Sequence, residues 1–173
     1  CDWEAYAYQY DLVSTFRLGD ALTDSEPGWW ATIWALSSSN IFYPWVNVLS
    51  AAAFFGGVHM LARRQPDRLR FLVLLFPVLI INMPMSGLRQ GVAIGFMCYA
   101  ITCLLDGKIW RYILVVAIAG SMHNSALLFL ILTPLGLKNL LPTIRLLAMA
   151  LLAVPGLILM LLGSGGQQAL DRY

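Results

Sequence analysis

The chain has 173 residues, of which 60% are hydrophobic and 12% carry a charge, and its mean hydropathy is +0.73. A soluble globular domain carries roughly 25% charged residues, so this composition excludes that class and predicts an integral membrane protein. The net charge of +2 comes without a basic cluster shaped for nucleic acid, which argues against a nucleic-acid-binding role. The chain begins at Cys1 without an initiator Met or a signal peptide, and we expect a fragment of a longer polytopic protein.

The first 26 residues form a polar segment rich in aromatic side chains. Six acids stand there against one base, Arg17, with Trp, Tyr and Phe between them. Such a stretch is too polar to cross a bilayer and too aromatic for a disordered linker, so it predicts an ordered external loop with some helix. Residues 27–36 suit a short interfacial helix, because three Trp side chains there prefer the headgroup boundary.

The remaining chain predicts an all-α polytopic membrane protein with about five transmembrane helices. The predicted spans are 44–62, 69–83, 86–105, 110–135 and 143–162. The positive-inside rule places the four arginines of 63–70 and the basic turn 106–111 in the cytoplasm, and the turn 136–142 outside. One membrane domain results, with 1–43 as external loop and interfacial helix, 44–162 as spans and 163–173 as a tail.

Arg89 stands at the start of the third predicted span. Residues 91–105 are uncharged, but 15 residues fall short of the roughly 17 to 25 that a span needs, so the helix must extend upward through 86–90. Arg89 then lies at or just below the outer interface. A ridge of small residues suited to close helix packing recurs every four residues, at Gly87, Gly91 and Gly95. Arg89 is expected to point roughly 200° away from this ridge.

The side chains around Arg89 leave two interpretations open. Ser86, Arg89 and Gln90 together can form a polar entrance in which the guanidinium fork binds phosphate oxygens. Alternatively, Arg89 only extends its charged head into water while its stem lies in lipid.

His123 interrupts the fourth predicted span. It lies 13 residues beyond Trp110, roughly 20 Å along a helix, which places it in the outer half of the bilayer at the depth of Arg89. Gly120, His123 and Asn124 are predicted to share one helical face. The imidazole is either a hydrogen-bonding link between helices or a general base, and the sequence leaves open whether it faces Arg89.

Acids of the external segment can supply a carboxylate above Arg89 and His123: Asp2, Glu4, Asp11 and Glu26. Any one acid in such a loop is more often solvated than catalytic. His59, beside the cytoplasmic arginines, is predicted to have no role. Cys98 and Cys103 are expected to be small buried residues without metal-ligand spacing, and neither a metal nor a cofactor is predicted.

The order and spacing of several short motifs resemble one family. Leu88-Arg89-Gln90-Gly91-Val-Ala93, a basic turn at 108–111 and Ser121-Met-His123-Asn-Ser125-Ala126 are similar to the EpsG-like exopolysaccharide polymerases of the wider Wzy O-antigen polymerase group. Asp2-x-x-x-Tyr6 and Glu26-Pro27-Gly28 resemble that family's external loop. The resemblance covers roughly residues 2–135, and the family has more spans than five, in keeping with a fragment.

This resemblance implies a membrane glycosyltransferase of the bacterial inner membrane that joins oligosaccharide repeat units carried on undecaprenyl pyrophosphate at the outer face. Its implied partners are that lipid-linked substrate, the bilayer and other polysaccharide synthesis and export proteins. Arg89 would clamp the leaving pyrophosphate, and the base would be His123, Asp2 or Glu26. Further substrate contacts would come from Ser86, Gln90, Asn124 and Asp11.

Two rival functions remain open. A transporter or flippase of lipid-linked sugars would use Arg89 for pyrophosphate but would need no base. An intramembrane serine protease would pair Ser86 with His123, although Pro84-Met-Ser86-Gly87 stands where such a protease has Gly-x-Ser-Gly.

Overall fold

The computed structural model describes residues 3–23, 25–77, 87–137 and 141–162, with side chains described as far as residue 153. Within these ranges every regular element is a helix, as the sequence predicts. The helices are α1 (Trp3–Val13), α2 (Leu18–Thr23), α3 (Pro27–Ser38), α4 (Pro44–Ala62), α5 (Arg68–Leu75), α6 (Leu88–Leu105), α7 (Ile109–Met122), a 3-10 helix (Asn124–Gly136) and α8 (Pro142–Leu162).

The N-terminal segment folds onto the following helices through its aromatic side chains. Tyr6 meets Trp29 edge to face, with ring centroids 5.7 Å apart, and Trp34 Nε1 donates to the Phe16 carbonyl at 3.1 Å. The Tyr10 hydroxyl donates to the carbonyl of Ile41, just before α4. The predicted ordering of this segment, with some helix, is confirmed, and α3 confirms the short helix that the Trp-rich stretch predicts.

Two of the described helices are long and apolar enough to cross a membrane. They are α4, which has the bounds predicted for the first span, and α6, which begins two residues after the predicted start. The predicted second span begins with α5, and its part from residue 78 onward lies outside the described residues. The later apolar helices are shorter than 18 residues where their side chains are described, which for α8 is as far as Ala153, so the number of five spans stays a prediction.

The fourth predicted span is wrong, because the chain reverses at His123. α7 ends at Met122, His123 is extended (φ −156°, ψ 118°), and the 3-10 helix returns along α7. A Cβ at Gly120 would lie 2.3 Å from Leu127 at the top of this hairpin, and one at Gly136 would lie 2.9 Å from Ile109 at its base. Gly120, His123 and Asn124 therefore do not share the face of one continuous helix.

The hairpin also corrects the predicted topology. Arg64 pairs with Asp106 at 2.6 Å, so the loops 63–70 and 106–111 share one end of the molecule, here called the basic end. Leu137 lies beside Lys108 and Trp110 at that same end. The start of the turn that was predicted outside, 136–142, is thus beside the basic loops and not opposite them.

Close packing of α4 on α6 depends on glycine. A Cβ at Gly57 would lie 1.9 Å from the Gly95 carbonyl oxygen, and one at Gly95 would lie 2.5 Å from the Ala53 carbonyl oxygen. Gly91 is buried as well. The predicted packing ridge is confirmed at Gly95, where the two backbones touch.

Gly57→Ala is expected to lower the thermal unfolding midpoint of the detergent-solubilised protein. The added methyl group meets backbone, so the helices must separate, at a cost of about 1–3 kcal/mol. Gly56→Ala on the same helix is the matched control, because a Cβ there meets nothing within 4 Å and alanine favours the helix by up to about 1 kcal/mol. Equal midpoints for the two variants would contradict this account.

Candidate active site

Glu26 is fixed at the entrance of α3. Pro27 at the first helical position supplies the backbone angle that starts the helix, and Glu26 is its N-cap residue, although its side chain makes no cap hydrogen bond. The carboxylate is thereby free to turn into the protein, where the residue is buried. A Cβ at Gly28 would lie 2.2 Å from Ser121 Oγ, so the glycine allows α3 to rest on the end of α7.

The Glu26 carboxylate joins the two side chains that the sequence singles out. Its Oε2 accepts from Arg89 Nη1 at 2.5 Å, and its Oε1 lies 2.6 Å from His123 Nδ1. Arg89 comes from the first turn of α6 and His123 from the tip of the hairpin. The predicted common depth of Arg89 and His123 is confirmed, since both reach one carboxyl group.

Exposure differs between the carboxylate and its partners. The side chain of Glu26 is 7% exposed, whereas those of Arg89 and His123 are 32% and 33% exposed. The acid therefore lies behind the two basic groups, and a ligand would meet the guanidinium and the imidazole first.

Burial and ion pairing act in opposite directions on the pKa of Glu26. Burial raises the pKa of the carboxyl group, but the hydrogen bond from His123 and the charge of Arg89 outweigh it, and the pKa lies below its ordinary value of 4.5. Glu26 is consequently ionised at neutral pH.

An ionised carboxylate fixes the tautomer of His123. Both oxygens of Glu26 can only accept, so the hydrogen bond at Nδ1 requires a proton on that nitrogen. In the neutral imidazole this leaves the lone pair on Nε2. Glu26 and His123 thus have the arrangement by which a buried acid orients a histidine as a general base.

Arg89 is held from two sides. Its Cζ lies 5.8 Å from the centre of the Tyr6 ring, a cation–π distance, while Nη1 donates to Glu26. A guanidinium has five N–H donors, so donors remain that can meet an anion. The sequence gives Tyr6 no role of its own, although it belongs to the motif Asp2-x-x-x-Tyr6.

None of the other predicted site residues that the structure describes joins the hydrogen bonds among these three. Gln90 and Asn124 are exposed neighbours of Arg89 and His123 along the chain. Asp11 is exposed on α1, five residues after Tyr6 and therefore about 140° around the helix from it. Asp2 and Ser86 lie outside the described residues. Within the described ranges, no group of three His, Cys, Asp or Glu side chains could hold a metal ion.

Two apolar helices of membrane-spanning length are typical of a helical membrane protein. A buried carboxylate between an arginine and a histidine forms a polar site at one end of the helices. The EpsG family model matches residues 1–173, and the chain belongs to the EpsG family. Membership confirms the resemblance noted from the motifs and supports a role in polysaccharide biosynthesis at a membrane. No curated protein and no solved structure matches the chain.

Proposed function

We propose that the chain carries the reaction site of an exopolysaccharide polymerase that joins oligosaccharide repeat units carried on undecaprenyl pyrophosphate. Family membership supports the polysaccharide role. The observation that carries the reaction is the Glu26 carboxylate, bonded on one oxygen to a cation and on the other to an imidazole.

His123 is the proposed general base. A sugar hydroxyl of the acceptor repeat unit attacks the anomeric carbon of the donor, forming the new glycosidic bond as the bond from that carbon to the pyrophosphate oxygen breaks. Nε2 of His123 accepts the hydroxyl proton, and Glu26 stabilises the imidazolium that forms. Positioned proton transfer of this kind contributes about 10²–10⁴ to a rate.

Arg89 is the proposed clamp for the leaving group. The departing pyrophosphate gains negative charge as the bond breaks, and charge-assisted hydrogen bonds from a preorganised guanidinium stabilise it most at that moment. Gln90 and Asn124, exposed beside Arg89 and His123, are proposed to contact the sugars.

The site is proposed to lie at the outer face of the bacterial inner membrane. Glu26, Arg89 and His123 lie at the end of α6 and α7 opposite the basic loops, and basic loops remain in the cytoplasm. A lipid-linked pyrophosphate reaches such a site with its headgroup while its chain stays in the bilayer.

His123→Ala is expected to lower the rate of polymer formation by a factor of about 10²–10⁴. The test expresses the intact gene in a strain without its own polymerase and measures polysaccharide chain length on gels. His59→Ala, which alters an exposed histidine of α4, is the matched control and should leave chain length unchanged. Normal long chains with His123→Ala would refute the base and would favour a transporter of lipid-linked sugars, which needs none.

A further inference from the structure

A polar cavity lies at the basic end, far from Glu26. It has a volume of about 430 Å³ and sits among the loop after α4, the end of α6 and the start of α7. Six charged side chains line it: Arg63, Arg64, Arg68, Asp106, Lys108 and Arg111. Five positive charges thus face one negative charge.

The single acid neutralises only part of this charge. Asp106 accepts from both terminal nitrogens of Arg64, at 2.6 and 3.0 Å, and from Lys108 Nζ at 3.0 Å. These hydrogen bonds, of which those from Arg64 have the largest effect, lower the pKa of Asp106 to about 2. Among the described residues, no ion pair engages the other three arginines of the cavity, which are Arg63, Arg68 and Arg111.

The position of the cavity indicates what kind of anion fits. α4 ends at Ala62 and α6 at Leu105, so the cavity begins where the two apolar helices end, at the level of the lipid headgroups. Its inner wall includes the buried Thr102 and the half-buried Tyr99, and its side includes the exposed Met60. An anion with an apolar tail can place its charge among the arginines and its tail along Met60.

We propose that this cavity binds the phosphate headgroup of an anionic membrane lipid from the leaflet opposite the Glu26 site. Guanidinium forks match phosphate oxygens in pairs, and basic pockets between membrane helices on the cytoplasmic side are suited to such headgroups. The bound phosphate would supply the counter-charge that the three arginines lack. This inference does not depend on the proposed polymerase reaction.

Arg63→Gln and Arg111→Gln are each expected to weaken the binding of phosphatidylglycerol about fivefold, and the double variant about 25-fold. The measurement is a lipid titration of the detergent-purified, delipidated full-length protein by native mass spectrometry. Both arginines are exposed and make no ion pair within the described part of the chain, so folding should be unaffected.

Arg70→Gln is the matched control. Arg70 lies in the first turn of α5 at the same end of the molecule, but it is outside the cavity and pairs with Asp67 at 3.1 Å, so its loss should leave the affinity unchanged. Phosphatidylcholine should bind more weakly than phosphatidylglycerol, and inorganic phosphate should not displace the lipid at equal concentration. If Arg70→Gln weakens lipid binding as much as the cavity variants do, or if the cavity variants bind the lipid normally, the proposal is refuted. The arginines would then serve only to orient the chain in the membrane. Inorganic phosphate that binds as tightly as the lipid would overturn the lipid assignment.

Discussion

Glu26→Gln is expected to lower the rate of polymer formation by a factor of about 10³–10⁴, while the protein still folds. The amide keeps the shape of the side chain but offers one acceptor and one donor. Its oxygen would face the Arg89 cation, and its NH₂ group would face His123 Nδ1, which must then accept. The imidazole proton moves to Nε2, and the base is lost. The measurement is the rate of polymer formation on lipid-linked repeat units, with the unfolding midpoint recorded beside it.

Glu4→Gln is the matched control for this substitution. Glu4 is the only other glutamate in the chain, and it is exposed on α1. Its replacement should change neither the rate nor the stability. If Glu26→Gln polymerises normally, the orientation of His123 by a carboxylate is refuted, and Glu26 serves only to hold α3 in place.

The stability difference between the wild type and Glu26→Gln should depend on pH. The folded-state pKa of Glu26 lies below 4.5, so the charged form stabilises the fold. That contribution is fully present above the ordinary value of 4.5 and is lost as the pH falls through the lowered pKa. Unfolding midpoints of the two proteins should therefore converge in acid and stay apart at neutral pH.

Arg89→Lys is expected to lower polymer formation about 10- to 100-fold without unfolding the protein. Lysine keeps the positive charge beside Glu26, but it lacks the planar fork that binds two phosphate oxygens together, and a charged hydrogen bond is worth about 1.5–3 kcal/mol. Inhibition by the released undecaprenyl pyrophosphate should weaken by a similar factor, which a purely structural role for Arg89 would not cause.

Arg17→Lys is the matched control, because it makes the same substitution at an arginine of the N-terminal segment. Arg17 is exposed before α2, and its replacement should affect neither the rate nor product inhibition. If Arg89→Lys shows the same product inhibition as the wild type, Arg89 does not bind the leaving pyrophosphate. Its role is then only to pair with Glu26.

The site residues could be found from the sequence because each is polar within or beside an apolar stretch, where placing a polar group in hydrocarbon costs free energy. The choice of Glu26 among the acids of the N-terminal segment could not be made in the same way. That choice is set by the contact of Gly28 with Ser121, which brings α3 onto the end of α7. Such a contact joins residues 93 positions apart and leaves no periodic signal.

The reversal at His123 was missed for a different reason. Apart from Arg111 and the polar residues of 121–125, residues 109–136 are mostly apolar, so their composition favours a single span. A 3-10 helix rises about 2.0 Å per residue, so the 13 residues of Asn124–Gly136 return about as far as the 14 residues of α7 climb. Apolar composition alone does not distinguish one long helix from two antiparallel legs.

The hairpin has a consequence for how the chain is oriented by the membrane potential. Gly136 returns to the basic end, which carries six cations (Arg63, Arg64, Arg68, Arg70, Lys108 and Arg111), while Glu26 lies at the opposite end of α6 and α7. With α4 and α6 across a bilayer, the described chain would be an electric dipole along the bilayer normal. In a cell with a negative interior, each charge that crosses the full field is worth about 2.3 kcal/mol per 100 mV. The voltage itself should hold the carboxylate end of the molecule outward.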